Sequence, residues 1–96
     1  MQDFFVYILK CNDCSYYVGH TDNIEERISK HKSGLFGGYT KTRLPIEVMF
    51  IQQFGTRDEA FNAERQIKGW SRAKKEALIK QDWKLLTHLA KRKSKN

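Results

Sequence analysis

Asp3 to Lys10 reads DFFVYILK, Asn12 to Ser15 reads NDCS, and Tyr16 to His20 reads YYVGH. The first stretch is rich in aromatic and β-branched residues, the composition of a buried strand. The middle stretch is a turn by its Asn, Asp and Ser, whose short polar side chains bond nearby backbone groups. The third is again strand-like. Two strands this close in sequence are expected to pair as an antiparallel hairpin.

Working outward from the hairpin, Thr21-Asp22 opens a helix. Asp22 suits its N-cap, and Glu25 three positions on completes a capping-box pattern. The helix runs to about Lys32 and stops at Ser33-Gly34. Gly34 to Pro45 holds three glycines, the only proline, Lys41 and Arg43, and is expected to be a mobile basic loop. Ile46 to Phe54 (IEVMFIQQF) reads as a third strand. Thr56 with Glu59 caps a helix through roughly Gly69. Ser71 caps another to about Lys80, and a fourth covers Trp83 to Ala90. The tail KRKSKN is too charged to pack and is expected to be disordered. The order predicts an α/β chain of the α+β type, a small three-stranded antiparallel sheet flanked by helices. Residues 1–82 form the domain, and 83–96 a C-terminal helix and basic tail.

Ninety-six residues allow one core. No apolar run approaches the roughly 20 residues of a membrane span. The N-terminus MQDFFVYIL lacks a basic start and a small-residue cleavage site, so a cytoplasmic protein is the default. The net charge is +7 and the isoelectric point near 9.6. From Arg65 to Lys95 basic residues far outnumber acids, which are only Glu76 and Asp82. Such a skew points to a polyanionic partner, nucleic acid before membrane, or else to a solvated basic face. The pair Cys11 and Cys14 lacks the second pair that a four-ligand zinc site needs. It also sits in a turn rather than at a helix start, so two reduced cysteines are expected.

Periodicity narrows the chemistry. Alternate strand residues share a face, so Phe5, Tyr7 and Leu9 point together, as do Tyr17 and Gly19. On the first helix Ile24, Arg27, Ile28 and His31 fall at i, i+3, i+4 and i+7, one stripe. The apolar members turn Arg27 and His31 toward the sheet or its margin. On the second helix Ala60, Ala63 and Ile67 share a side and Glu64 falls among them. A carboxylate there is costly unless it is paired, with Arg27 or Lys68 for instance, or binds a cation. Each residue has an ordinary reading too: Tyr7 and Tyr17 as core aromatics, Gly19 as a bulge, Arg27 as a snorkelling side chain, His31 as a partner of its helix C-terminus.

Together these residues form a pattern that resembles the GIY-YIG nuclease family, most closely its small stand-alone bacterial branch, the UPF0213-like proteins. The first motif stands here as Phe5-Val6-Tyr7, the second as Tyr17-Val18-Gly19, with nine residues between the two tyrosines. Arg27 follows Tyr17 by ten residues, His31 lies one turn further, and Glu64 sits on the helix after the third strand. The likeness spans roughly residues 3 to 80. Phe5 and Val6 depart from the motif's Gly and Ile, which affects packing more than chemistry. Cys14 stands at a turn position often held by glycine in close relatives. His20 stands where some relatives carry a lysine.

The resemblance implies a DNA endonuclease that hydrolyses phosphodiester bonds, in repair, recombination or the processing of structured DNA. It implies one divalent cation, Mg²⁺ or Mn²⁺, held by Glu64, a phosphate oxygen and waters, as suits a hard ion. Arg27 would stabilise developing charge on phosphate, and Tyr7 or Tyr17 would position and deprotonate the water while His31 relays the proton. His20, Tyr39, Lys41, Arg43, Lys68 and Arg72 would contact nucleic acid, fixing register without reading bases. The partner is DNA, branched or single-stranded, with RNA open, and a further protein partner could supply targeting. The competing reading is a nucleic-acid-binding module with this fold and little activity unless a partner joins it.

Overall fold

The central strand β1 (Phe4–Lys10) pairs antiparallel on one edge with β2 (Tyr16–Thr21) and on the other with β3 (Glu47–Phe54), giving the sheet order β2-β1-β3. The computed structural model describes residues 3–94 of the chain, and side chains through residue 90. The remaining elements are α1 (Ile24–Ser33), a single 3₁₀ turn (Gly38–Thr40), α2 (Arg57–Lys68), α3 (Arg72–Ile79) and α4 (Trp83–Ser94).

β1 has no solvent face. Val6 and Ile8 join Val18, Ala60, Ile67 and Leu78 in one cluster, with Phe4, Phe50 and Leu86 against it. Tyr7 and Leu9 join Cys11 and Ile46 in a second, packed by Tyr17, Ile24, Ile28 and Val48. Alternation along β1 therefore sends one set of side chains to α2 and α3 and the other to α1. This explains why β1 is apolar almost throughout rather than alternating. Each fully buried aliphatic here contributes about 1.5–3 kcal/mol. In β3 the pairing slips between Ile8 and Leu9. The extra residue lets Val48 and Phe50, two apart, serve opposite clusters, as a bulge does when it resets a strand's faces.

Helix starts follow their caps, with one displacement. α1 is capped by Asn23, whose side chain accepts from the Glu26 amide at 3.1 Å, not by Asp22 with Glu25. Asn is as strong a cap as Asp, and β2 continues through Thr21, which pushes the start one residue along. Asp22 meets Arg57 instead, at 3.5 Å. Gly34 ends α1 with φ +78°, a left-handed cap that glycine adopts without steric cost. Thr56 and Ser71 cap α2 and α3 as expected, accepting from the amides of Glu59 and Lys74. α4 runs to Ser94, past the expected end at Ala90. The last two residues of the tail expected to be disordered lie outside the described residues.

The segment after Gly34, expected to be a mobile loop, is bonded to the hairpin turn at its far end. The Asn12 amide donates to the Arg43 carbonyl (2.8 Å) and the Asn12 side chain to the Leu44 carbonyl (3.0 Å). Arg43 ion-pairs Asp13 at 3.0 Å and donates to the Tyr39 carbonyl at 2.8 Å. The loop is laced to the hairpin turn. In that turn Cys14 has φ +67°, the left-handed conformation that glycine adopts most easily, and both cysteines are free.

Candidate active site

Tyr7 stands opposite Gly19 in the β1–β2 register. A Cβ placed on Gly19 would lie 2.5 Å from the Tyr7 hydroxyl oxygen and 2.6 Å from Cζ. The glycine is therefore neither a bulge nor decoration: its missing side chain is the space that the Tyr7 ring fills. Tyr7 is wholly buried. Its hydroxyl lies 2.9 Å from Nε2 of His31, which α1 delivers from above, and His31 Nδ1 lies 2.8 Å from Oγ1 of Thr40. Tyr17 packs against both, with ring centroids 6.3 Å from Tyr7 and 5.2 Å from His31. Arg27 lies over the Phe36 ring at 4.6 Å, close enough for its charge to act on both Tyr7 and His31.

The electrostatics of this cluster follow from its burial. Desolvation, followed by the nearby Tyr17, pushes Tyr7 up to about 12, and Arg27 opposes the rise. Burial first, then the charge of Arg27, holds His31 down at about 4, so its imidazole is neutral at pH 7. A neutral imidazole beside a phenol can take up a proton.

Glu64 is on the other side of the sheet. α2 packs against the face carrying Val18, while Tyr7, Tyr17 and His31 occupy the α1 face. Periodicity put Glu64 on the buried side of its helix, where it is, but did not say which face of the sheet that helix covers. Glu64 is 8% exposed, and both its oxygens are held: Oε1 lies 2.5 Å from His20 Nδ1, and Oε2 accepts from Lys68 Nζ at 2.9 Å. Burial raises its pKa, but the hydrogen bonds from His20 and Lys68 outweigh that and the net shift is down. Of the two partners expected for it, Lys68 is present and Arg27 is not. The Glu64 charge still raises the pKa of Tyr7, so the two halves feel each other across β2 at Gly19 and His20. Among the described residues no group of three or more His, Cys, Asp or Glu is placed to hold a metal ion.

The residues expected to grip phosphate are largely engaged within the chain. His20 and Lys68 hold Glu64. Arg43 pairs Asp13 and lies 3.8 Å over the Tyr39 ring, which stacks on Tyr17 at 6.1 Å. Arg72 donates to the Cys14 carbonyl at 2.6 Å, pairs Glu76 and covers Tyr16. Lys41 is exposed. Two residues outside the sequence expectations belong to the site: Thr40, and Phe36, whose ring centroid is 4.4 Å from that of His31. The paired glycines Gly37 and Gly38, with φ +77° and +66°, were the one local sign that the loop turns inward there.

Comparison with known proteins shows the family and the fold. Residues 3–77 match the GIY-YIG catalytic domain. The chain is 43% identical over 79 residues to a UPF0213 protein of Staphylococcus saprophyticus, covering 82% of this chain and 96% of that one. It is 40% identical over 77 residues to the UPF0213 protein YazA of Bacillus subtilis, covering 80% and 78%. The solution structure of a UPF0213 protein from Bacillus halodurans superposes with a TM-score of 0.56 at 39% identity, over 82% of this chain and 84% of that one. That of a protein from E. faecalis gives 0.59 at 34% identity, over 84% and 86%.

Proposed function

The chain belongs to the GIY-YIG nuclease family, and from that premise we propose that it is a divalent-metal-dependent DNA endonuclease acting on phosphodiester bonds in structured DNA. The observation that carries the reading is the pairing of Tyr7 with a neutral, buried His31, with Arg27 beside them and a buried carboxylate across the same strand.

Hydrolysis needs a nucleophile made from water and charge neutralisation at phosphorus. Tyr7 is the better candidate base, because its hydroxyl lies 2.9 Å from a ring nitrogen, His31 Nε2, that could take its proton. Tyr17, half-buried, would hold the water. Arg27, a fork of donors that is always charged, would face the phosphate and stabilise the charge that develops there. Glu64 suits a metal: it offers hard oxygens, and Lys68, half-exposed, can swing away from Oε2. Mg²⁺ or Mn²⁺ bound there would supply Lewis-acid neutralisation of the phosphate. A binding module would need its cations free, yet Arg43, Lys68 and Arg72 are engaged internally while the tyrosine–histidine–arginine cluster is fully built.

The test is Glu64→Gln. Mg²⁺-dependent cleavage of branched, flapped and nicked DNA should vanish while DNA affinity is retained. Cleavage by rigorously purified mutant protein would remove Glu64 from the mechanism, and wild-type protein that binds but cuts none of these substrates would favour the module.

A further inference from the structure

Thr40 sits on a surface loop, yet it is 1% exposed. Burying a hydroxyl costs free energy unless it is bonded, and its partner is His31 Nδ1 at 2.8 Å. The loop is built to put it there. Gly37 and Gly38 turn the backbone inward, Tyr39 stacks on Tyr17, and Arg43 fastens the far end to Asp13.

A neutral imidazole carries one N–H and one lone pair, and the hydrogen bond at one nitrogen decides the other. For Tyr7 to pass its hydrogen to His31, 2.9 Å away, Nε2 must be the nitrogen that carries the lone pair. The imidazole proton then resides on Nδ1 and goes to the Thr40 oxygen. The charged and titratable groups facing this pair are Arg27 from α1, Tyr17 from β2 and Glu64 from across the sheet.

We propose that Thr40 is a positioning residue: it accepts the Nδ1–H of His31 and so keeps Nε2 open to the proton of Tyr7. The inference rests on the reading of Tyr7 as the base. As water attacks, its O–H bond breaks and its proton goes to the Tyr7 oxygen, while the phenol proton moves to Nε2. The hydroxide joins phosphorus, the sugar oxygen leaves and is protonated by solvent, and the imidazolium has both N–H groups bonded, to Tyr7 and Thr40. With Thr40 gone, the ring can carry its proton on Nε2, facing a base that then has no acceptor.

The experiment uses protein labelled with ¹⁵N at histidine, and long-range ¹H–¹⁵N spectra at pH 7, with the His31 signals assigned by their loss in His31→Gln. Wild type and Thr40→Ser should show the Nδ1–H tautomer, and Thr40→Val a mixture or the reverse. Cleavage by Thr40→Val should fall roughly tenfold or more, part of the 10²–10⁴ that an acid–base group supplies, while Thr40→Ser stays near wild type. An Nε2–H tautomer in wild type, which needs no variant to fold, overturns the proposal, as does an unchanged tautomer in Thr40→Val. If the tautomers behave as expected but Tyr7→Phe cleaves normally, the base assignment fails and the hold of Thr40 on His31 stands.

Discussion

Gly19→Ala is the smallest change that tests how the two motif strands meet. The added methyl would sit 2.5 Å from the Tyr7 hydroxyl and 2.6 Å from Cζ, where about 3.5–4.0 Å is comfortable for carbon contacts. Tyr7 cannot step aside cheaply. It is fully buried, its hydroxyl is bonded to His31, and Tyr17 Cε2 lies 3.2 Å from the same point. Overpacking of this kind costs about 1–3 kcal/mol, and a methyl wedged against a buried ring belongs at the upper end. Replacing glycine lowers the entropy of the unfolded chain and returns about 0.4–1 kcal/mol. The net destabilisation is therefore about 2 kcal/mol. For a domain of this size each kcal/mol moves the Tm by roughly 4–8 °C, so the midpoint should drop by about 8–16 °C. Urea unfolding followed by tryptophan fluorescence, beside a thermal melt by circular dichroism, reads both quantities. A variant with wild-type stability would show that the Tyr7 ring is not seated over Gly19, and the geometry built on it would fall.

Three further outcomes are expected. Arg27→Ala should lower turnover by about 10²–10³, the effect of losing one transition-state donor, and unchanged turnover would leave it a structural residue. His31, held at about 4 by burial and Arg27, favours the folded state while neutral. That contribution, on the order of 3 kcal/mol, is full above about pH 6.5 and is lost as the pH falls toward 4. Urea midpoints should slide across that window in wild type and flatten in His31→Gln; parallel curves would refute the assignment. Lys68→Ala frees one Glu64 oxygen, so half-saturation by Mn²⁺, read by electron paramagnetic resonance, should tighten by a factor of about two to five. Weaker binding would mean that the lysine assists the metal rather than competing with it.

What could be read from the chain, and what could not, divides along a physical line. The strands, the caps and the inward placement of Arg27, His31 and Glu64 are local, encoded in composition and in a period of two or 3.6. Even the misplaced cap of α1 erred by a single residue, because Asp22 and Asn23 compete on equal chemistry. The pairing of His20 with Glu64 spans 44 residues, and Thr40 reaches His31 through a loop that has no period. Nor does periodicity state which side of the sheet a helix takes after its strand. That is why Glu64 was expected to converge with the tyrosines, whereas it meets them only across β2.

The lacing of the Gly37–Arg43 segment to Asn12 and Asp13 also bears on local opening. These contacts join positions some 30 residues apart, and closing so wide a loop costs entropy that must be met before the bonds return anything. Thr40, Tyr39 and the setting of His31 therefore depend on the closure of this seam. A chain that has opened locally at this seam would hold Tyr7, Tyr17 and Arg27 without Thr40 against His31. On the proposed mechanism, a molecule opened at this seam would keep its tyrosines and lose the tautomer that serves them.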